Sequence, residues 1–263
     1  MDAQKTLQKA ISLFKQSLHY QSLEELTQLL KVNPEYGKAW ELKGLIEDAI
    51  HWHKSSINSL EAATTLIPIS ASGQYVLAKN YRETGKHSLA RSVFSILLQR
   101  KDIPETLLSA ISSYLGQYPD LTHLALEACR KAVELDPECA ESWFGVAYFM
   151  GKMGYPREHV ANVLRKVIDI DPEQRHYRIA LGNLLEQIGQ SEEAYLVVKA
   201  IQKSVLNEIH CADCLQKLIR IFSLAGDDSR HEICLKKLNS LQSVQEHSSS
   251  KLNVDRFSSF LKK

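Results

Sequence analysis

The chain has 263 residues and carries 32 Lys and Arg against 31 Asp and Glu, a net charge of +1, so no overall field draws it to nucleic acid or anionic lipid. It has no uninterrupted apolar run of the roughly 18 residues a membrane span requires. Met1-Asp2-Ala3-Gln4-Lys5 leads directly into a helical pattern, not a signal segment, and five cysteines are an odd number in a chain far too long to need a disulfide scaffold. Reduced thiols in a soluble, cytoplasmic protein are the expectation.

Taken in chain order, every predicted element is a helix, and the helices come in pairs. Residues 3 to 34 form a first hairpin, with Leu7, Ala10, Ile11 and Phe14 on one stripe and Leu23, Leu26, Leu29 and Leu30 on the next. It is leucine-rich and reads as a terminal unit. Residues 37 to 68 form a second, whose turn carries His51-Trp52-His53 in place of glycine. Residues 71 to 102 and 104 to 137 follow, the latter with the long turn Gly116-Gln117-Tyr118-Pro119-Asp120. Residues 140 to 172 turn at Gly151-Lys152-Met153-Gly154-Tyr155-Pro156. Residues 175 to 206 turn at Gly189, with Ser191 expected to cap the second helix ahead of acidic Glu192 and Glu193. In residues 209 to 241, Ile209, Leu215, Leu218, Ile219 and Phe222 are expected to face inward. Beyond 242 the chain turns polar, and Val254, Phe257 and Leu261 then recur at helical spacing, which predicts a linker and a capping helix over 243 to 263.

The pairs have a period. Pro34, Pro68, Pro104, Pro137 and Pro172 are separated by 34, 36, 33 and 35 residues, the spacing of two helices of about 13 to 15 residues with two short turns. Trp40, Gly44, Ala63 and Pro68 make one copy of a motif. Leu77, Ala78, Tyr81, Gly85, Ala90 and Phe94 make the next. Trp143, Ala147, Gly154 and Pro172, and then Leu181, Gly182, Gly189 and Ala194, make two more. In these residues the chain resembles the tetratricopeptide repeat family, although Lys43 stands where the family has Leu. The resemblance implies an all-α, right-handed α-solenoid of about seven antiparallel hairpins over residues 1 to 242. It also puts Tyr81 and Trp143 at scaffold positions.

The resemblance further implies a concave row of first helices on which a peptide or partner helix lies. Aligning the copies nominates Glu41 and Leu45, then Tyr75, Lys79 and Arg82, then Leu108 and Ser112. Phe144, Tyr148 and Lys152, then His176, Asn183 and Glu186, and finally Arg220 complete the row. Aromatic faces beside cationic tips suit an extended segment with acidic and apolar side chains. The alternative is that the charges solvate the face while the aromatics pack between helices. Some relatives clamp the C-terminal carboxylate of heat-shock chaperones; Asn183 matches one clamp position, but its neighbours do not supply the others.

The expected function is a non-catalytic scaffold or adaptor for a protein or peptide partner, with no cofactor, no nucleic acid and no membrane span. A structural subunit, binding through its edges or convex face in a homo-oligomer or larger assembly, is the alternative. There is no Gly-rich phosphate loop, HExxH or GxSxG, so no enzyme is expected. His210-Cys211-x2-Cys214 with His231-x2-Cys234 has the order of a zinc site. In antiparallel helices rising roughly 1.5 Å per residue, however, Cys211 and His231 lie at very different distances from the turn, so no metal is expected. His51 and His53 are too few to hold one.

Overall fold

The computed structural model describes residues 2–242, and among these every regular element is helical. The chain divides into two compact units, the first ending at Leu135 and the second beginning at Asp136. In the first unit, hairpins pair α1 (Ala3–Lys15) with α2 (His19–Val32) and α3 (Gly37–Ala49) with α4 (His53–Leu66). They then pair α5 (Ala71–Glu83) with α6 (His87–Leu98), and α7 (Glu105–Leu115) with α8 (Thr122–Leu135). The second unit pairs α9 (Ala140–Lys152) with α10 (Arg157–Ile170) and α11 (Arg175–Gln187) with α12 (Ser191–Lys199). The one-turn α13 (Lys203–Leu206) and α14 (Ala212–Leu224) follow, then a last helix over 228 to 242 among the described residues. The predicted linker and apolar tail over 243 to 263 lie outside the described residues.

The hairpins turn alike for a backbone reason. Ser17, His51, Gly85, Gly154, Gly189 and Gly226 all have positive φ, between 61° and 82°. The next residue's N–H reaches back five residues to a helix carbonyl: Leu18 to Leu13 at 2.9 Å, Trp52 to Glu47 at 2.8 Å, and Lys86 to Tyr81 at 2.7 Å. Tyr155 to Met150, Gln190 to Leu185 and Asp227 to Phe222 repeat it at 3.1, 2.9 and 3.0 Å. This left-handed closure satisfies a carbonyl that the helix end leaves unpaired. The fourth hairpin closes differently: Gly116 stays right-handed, and the chain passes through a 3-10 turn at Pro119–Leu121 before α8.

The other ends stop at proline. Asn33, Ile67 and Asp171 leave the helix at φ −133°, −146° and −130°, immediately before Pro34, Pro68 and Pro172, because the proline ring excludes helical geometry from its predecessor.

Small residues set how closely the two helices of a hairpin approach. A Cβ on Gly44 would lie 2.5 Å from Leu60 Cγ, and one on Gly182 would lie 2.5 Å from Val198 Cγ1. Where the second helix carries serine at this contact, its hydroxyl finds a carbonyl: Ser22 Oγ donates to Ala10 and Ser56 Oγ to Gly44, each at 2.7 Å. Ala90 and Ala194 hold the same place in their hairpins and are fully buried.

Leu7, Ala10, Leu23, Leu26, Leu29 and Leu30 are buried, with Ile11 and Phe14 packed against them. Ile209, Leu215, Leu218 and Phe222 are buried as expected, while Ile219 is half-buried. Two details differ from expectation. Gln190, not Ser191, occupies the N-cap of α12, and no side chain caps that helix, since the Gly189 turn already closes the hairpin. The α12 helix also ends at Lys199, and α13 fills the remainder of the repeat.

Candidate partner-binding face

In the first unit, most of the nominated side chains serve the fold. Glu41 Oε1 accepts from the Ser70 N–H at 2.8 Å and lies 2.6 Å from where a Cβ on Gly73 would stand, so it caps the entrance to α5. Lys79 Nζ meets Asp48 Oδ2 at 2.7 Å, across the step from α3 to α5. Arg82 donates two parallel bonds of 2.9 Å to Asp120, with its guanidinium 4.3 Å from the Tyr118 ring centre. Tyr75 is half-buried, edge-on to Phe94 at 6.3 Å and to Tyr114 at 6.2 Å.

Leu108 is fully buried and is withdrawn as a lining residue: in α7 its side chain belongs to the core. Ser112 is half-buried and donates to the Ser109 carbonyl at 2.9 Å. Leu45 is half-buried.

Around these positions is a polar network that hydrophobic periodicity does not reveal. Asn80 is fully buried; its amide nitrogen donates to Ser56 Oγ at 2.9 Å, and its carbonyl accepts from His53 Nδ1 at 2.7 Å. Tyr114 donates to Glu83 at 2.7 Å, and the Tyr118 hydroxyl lies 3.2 Å from the same carboxylate. Burial, then hydrogen bonds with Tyr118 and Glu83, push the Tyr114 hydroxyl pKa far up, so it stays a donor. The pairing of Asn80 with Ser56 and His53 joins residues 24 and 27 positions apart, a separation that has meaning only once α4 and α5 are packed.

In the second unit the balance differs. Phe144, Tyr148 and Lys152 lie at four-residue intervals on α9 and therefore share one face. Tyr148 is 49% exposed, with Lys152 Nζ 5.0 Å from its ring centre. His176 on α11 is exposed, 5.4 Å from Phe144 and 4.0 Å from Tyr177 between ring centres. The burial it does have holds its imidazole pKa below the ordinary range, so the ring is neutral near pH 7. Asn183 follows His176 by two helical turns and is half-buried. Glu186 and Arg220 form an ion pair between α11 and α14. The structure thus joins α9 to α11 through Phe144 and His176, and α11 to α14 through Glu186 and Arg220.

Tyr81 and Trp143 are scaffold residues. Tyr81 is buried and donates to Glu61 at 2.8 Å, and Trp143 donates to the Pro137 carbonyl at 2.9 Å. The Trp52 backbone closes its own hairpin, while its side chain packs outside it. It stands at the N-cap of α4, 47% exposed, edge-on to Tyr20 of the preceding hairpin at 6.1 Å. Among the described residues, the ligand atoms of Cys211, Cys214, His231 and Cys234 supply no set of three within 4.8 Å of one another; Cys211 is exposed and Cys234 fully buried. No described helix is long and apolar enough to cross a membrane.

This succession of paired helices with a repeated left-handed closure defines an α-solenoid of helical hairpins. No family model matches the chain, and no curated protein sequence does either. Solved structures do match in fold. The C-terminal part of a TPR repeat-containing protein from Cytophaga hutchinsonii matches with a TM-score of 0.64 at 12% identity, over 89% of this chain and 95% of that one. A tetratricopeptide repeat protein from Parabacteroides merdae matches with a TM-score of 0.53 at 15% identity, over 91% and 93%. YrrB, a TPR protein with an unusual peptide-binding site, matches with a TM-score of 0.52 at 17% identity, over 66% and 88%. The fold is that of the tetratricopeptide repeat proteins.

Proposed function

We propose that this chain is a non-catalytic protein-interaction scaffold that takes an extended peptide segment on the first-helix face of its second unit, with Phe144, Tyr148, Lys152, His176 and Asn183 in contact. The observation that carries this is where the side-chain chemistry is spent. Lys79 and Arg82 are held in ion pairs inside the first unit. The Lys152 and Asn183 side chains enter no hydrogen bond or ion pair among the described residues, and Tyr148 and His176 are exposed. Rings held by packing lose little freedom on binding, and a cation over an aromatic face favours a segment with acidic and apolar side chains. YrrB is described as binding peptide, which agrees with this reading by analogy of fold alone.

The test is affinity capture from the source lysate, comparing the wild type with a Tyr148→Ala, Lys152→Glu variant matched in helicity by circular dichroism. Loss of a specific captured protein is expected, and equal capture by both would overturn the reading.

A structural subunit binding through its outer helices is the second reading. Its support is the exposed apolar residues of the first unit's second helices, Tyr20 and Val32 on α2 and Leu89 and Ile96 on α6, which are 48% to 73% exposed. Sedimentation at micromolar concentration tests it, and a monomer there removes the self-associating form.

A further inference from the structure

The start of α14 brings together two cysteines that the fold does not need for its core. Cys211 is the N-cap, and its Sγ accepts from the Cys214 N–H at 3.2 Å. Cys211 is exposed and Cys214 half-buried. Both line a cavity of about 250 Å³ with His176, His210, Arg175 and Ile209. The other cysteines lie elsewhere. Cys129 and Cys234 are buried, which pushes their thiols up to about 11, and Cys139 accepts from the Ser142 hydroxyl at 3.1 Å.

We infer that Cys211 and Cys214 form a reversible dithiol–disulfide couple, closed by exchange with a low-molecular-weight disulfide that enters this cavity. Residues three apart across a helix start are within the span a disulfide bridges, and Cys211 Sγ already lies 3.2 Å from the Cys214 backbone nitrogen, so closure needs side-chain rotation and no refolding.

The exchange balances without another oxidant. The Cys211 thiol gives its proton to solvent or to a cavity imidazole, and the thiolate attacks one sulfur of R–S–S–R. That bond breaks, and RS⁻ leaves and is protonated. The Cys214 thiol then loses its proton and attacks Cys211 Sγ; the Cys211–S–R bond breaks and a second RSH leaves. Two protein thiols are oxidised, and one small disulfide is reduced to two thiols.

The order follows from the surroundings. Cys211 is the accessible sulfur, with a backbone donor that a thiolate accepts more strongly than a thiol does. Burial foremost pushes the Cys214 thiol up to about 11, which keeps it protonated near pH 7. Metal binding is the competing use of the same side chains. Among the described residues, His176, His210, Cys211 and Cys214 supply no three ligand atoms within 4.8 Å of one another, so the geometry favours the pair over an ion.

The test uses the full chain equilibrated with glutathione and glutathione disulfide over a range of ratios, quenched by acid, alkylated after unfolding and mapped by mass spectrometry. The expected result is joint loss of alkylation at Cys211 and Cys214, with the closed pair about tenfold or more in excess over any glutathione adduct, while Cys129, Cys139 and Cys234 stay alkylated. In Cys214→Ser the glutathione adduct should accumulate on Cys211; in Cys211→Ala neither product should form, with helicity unchanged in both. Full alkylation of the pair at the most oxidising ratio would overturn the inference. So would a lasting adduct on the wild type, absence of the adduct from Cys214→Ser, or stoichiometric zinc in reduced protein purified without chelator.

Discussion

Trp143 Nε1 donates to the Pro137 carbonyl six residues before it, at 2.9 Å. Trp40 makes the same bond to Pro34 at 2.7 Å, and Arg178 Nε makes it to Pro172 at 3.1 Å. The proline that ends one hairpin is therefore tied by its carbonyl to the first helix of the next, and the donor's identity matters less than its position.

Replacing either indole by a ring without N–H should loosen this tie with little change in packing. Trp40→Phe and Trp143→Phe are each expected to lose about 0.5–1.5 kcal/mol, the usual net value of one hydrogen bond. Because the two sites lie in different units, their losses should add. Urea unfolding followed by circular dichroism measures both.

The hairpin turns and helix crossings predict opposite signs for glycine. His51 sits at φ 62° and Ser17 at φ 61°, where their counterparts are glycine. A left-handed side chain costs about 1–2 kcal/mol, partly offset by the chain entropy that glycine adds on unfolding. His51→Gly and Ser17→Gly should therefore each gain roughly 0.5 kcal/mol. Gly182→Ala meets Val198 Cγ1 at 2.5 Å and should lose about 1–3 kcal/mol through overpacking. A destabilised His51→Gly in thermal or urea unfolding would show that its turn is not under this strain.

Charge reversal at Lys79 breaks an ion pair that the fold uses. Asp48 is mostly buried, and its Oδ1 has no hydrogen-bond partner, so Lys79 is the principal compensation for its charge. Lys79→Glu should destabilise the chain by about 1–3 kcal/mol, and the apolar double variant Lys79→Met, Asp48→Leu should lose less than Lys79→Glu alone. Equal losses would show that the pair is not coupled.

Acid should release the Arg82 pair in a defined window. The hydrogen bond from Arg82, against a smaller effect of burial and helped by its charge and by Arg91, holds the Asp120 carboxyl below its ordinary value of 3.8. A folded pKa below the unfolded one means that the stabilisation is complete above the unfolded value of about 3.9 and is lost as pH falls through the folded value. The stability gap between wild type and Asp120→Asn should accordingly be constant from about pH 5 to 7 and close as pH falls through the folded value. A gap that persists there would assign the effect to packing.

Much of this architecture was legible along the chain. The spacing of Pro34, Pro68 and Pro172 marked where helices stop, because proline acts on its own neighbour. Gly85, Gly154, Gly189 and Gly226 marked where hairpins turn, because the left-handed region suits the residue without a Cβ. The candidate face was less legible. Lys79, Arg82, Lys152 and Asn183 look alike in an alignment of copies, yet the first two reach carboxylates 31 and 38 residues away and the others reach none.

The amino-acid sequence by itself determined most of the helices and their ends, and the repeat, since each depends on backbone preferences and apolar spacing within one or two turns. Only the tertiary structure decided which polar side chains are spent. It paired Lys79 with Asp48 and Arg82 with Asp120, closed Asn80 onto Ser56 and His53, and set Cys211 and Cys214 beside His176. Electrostatic and hydrogen-bond partners are chosen by distance in space, and that distance exists only after the helices have packed.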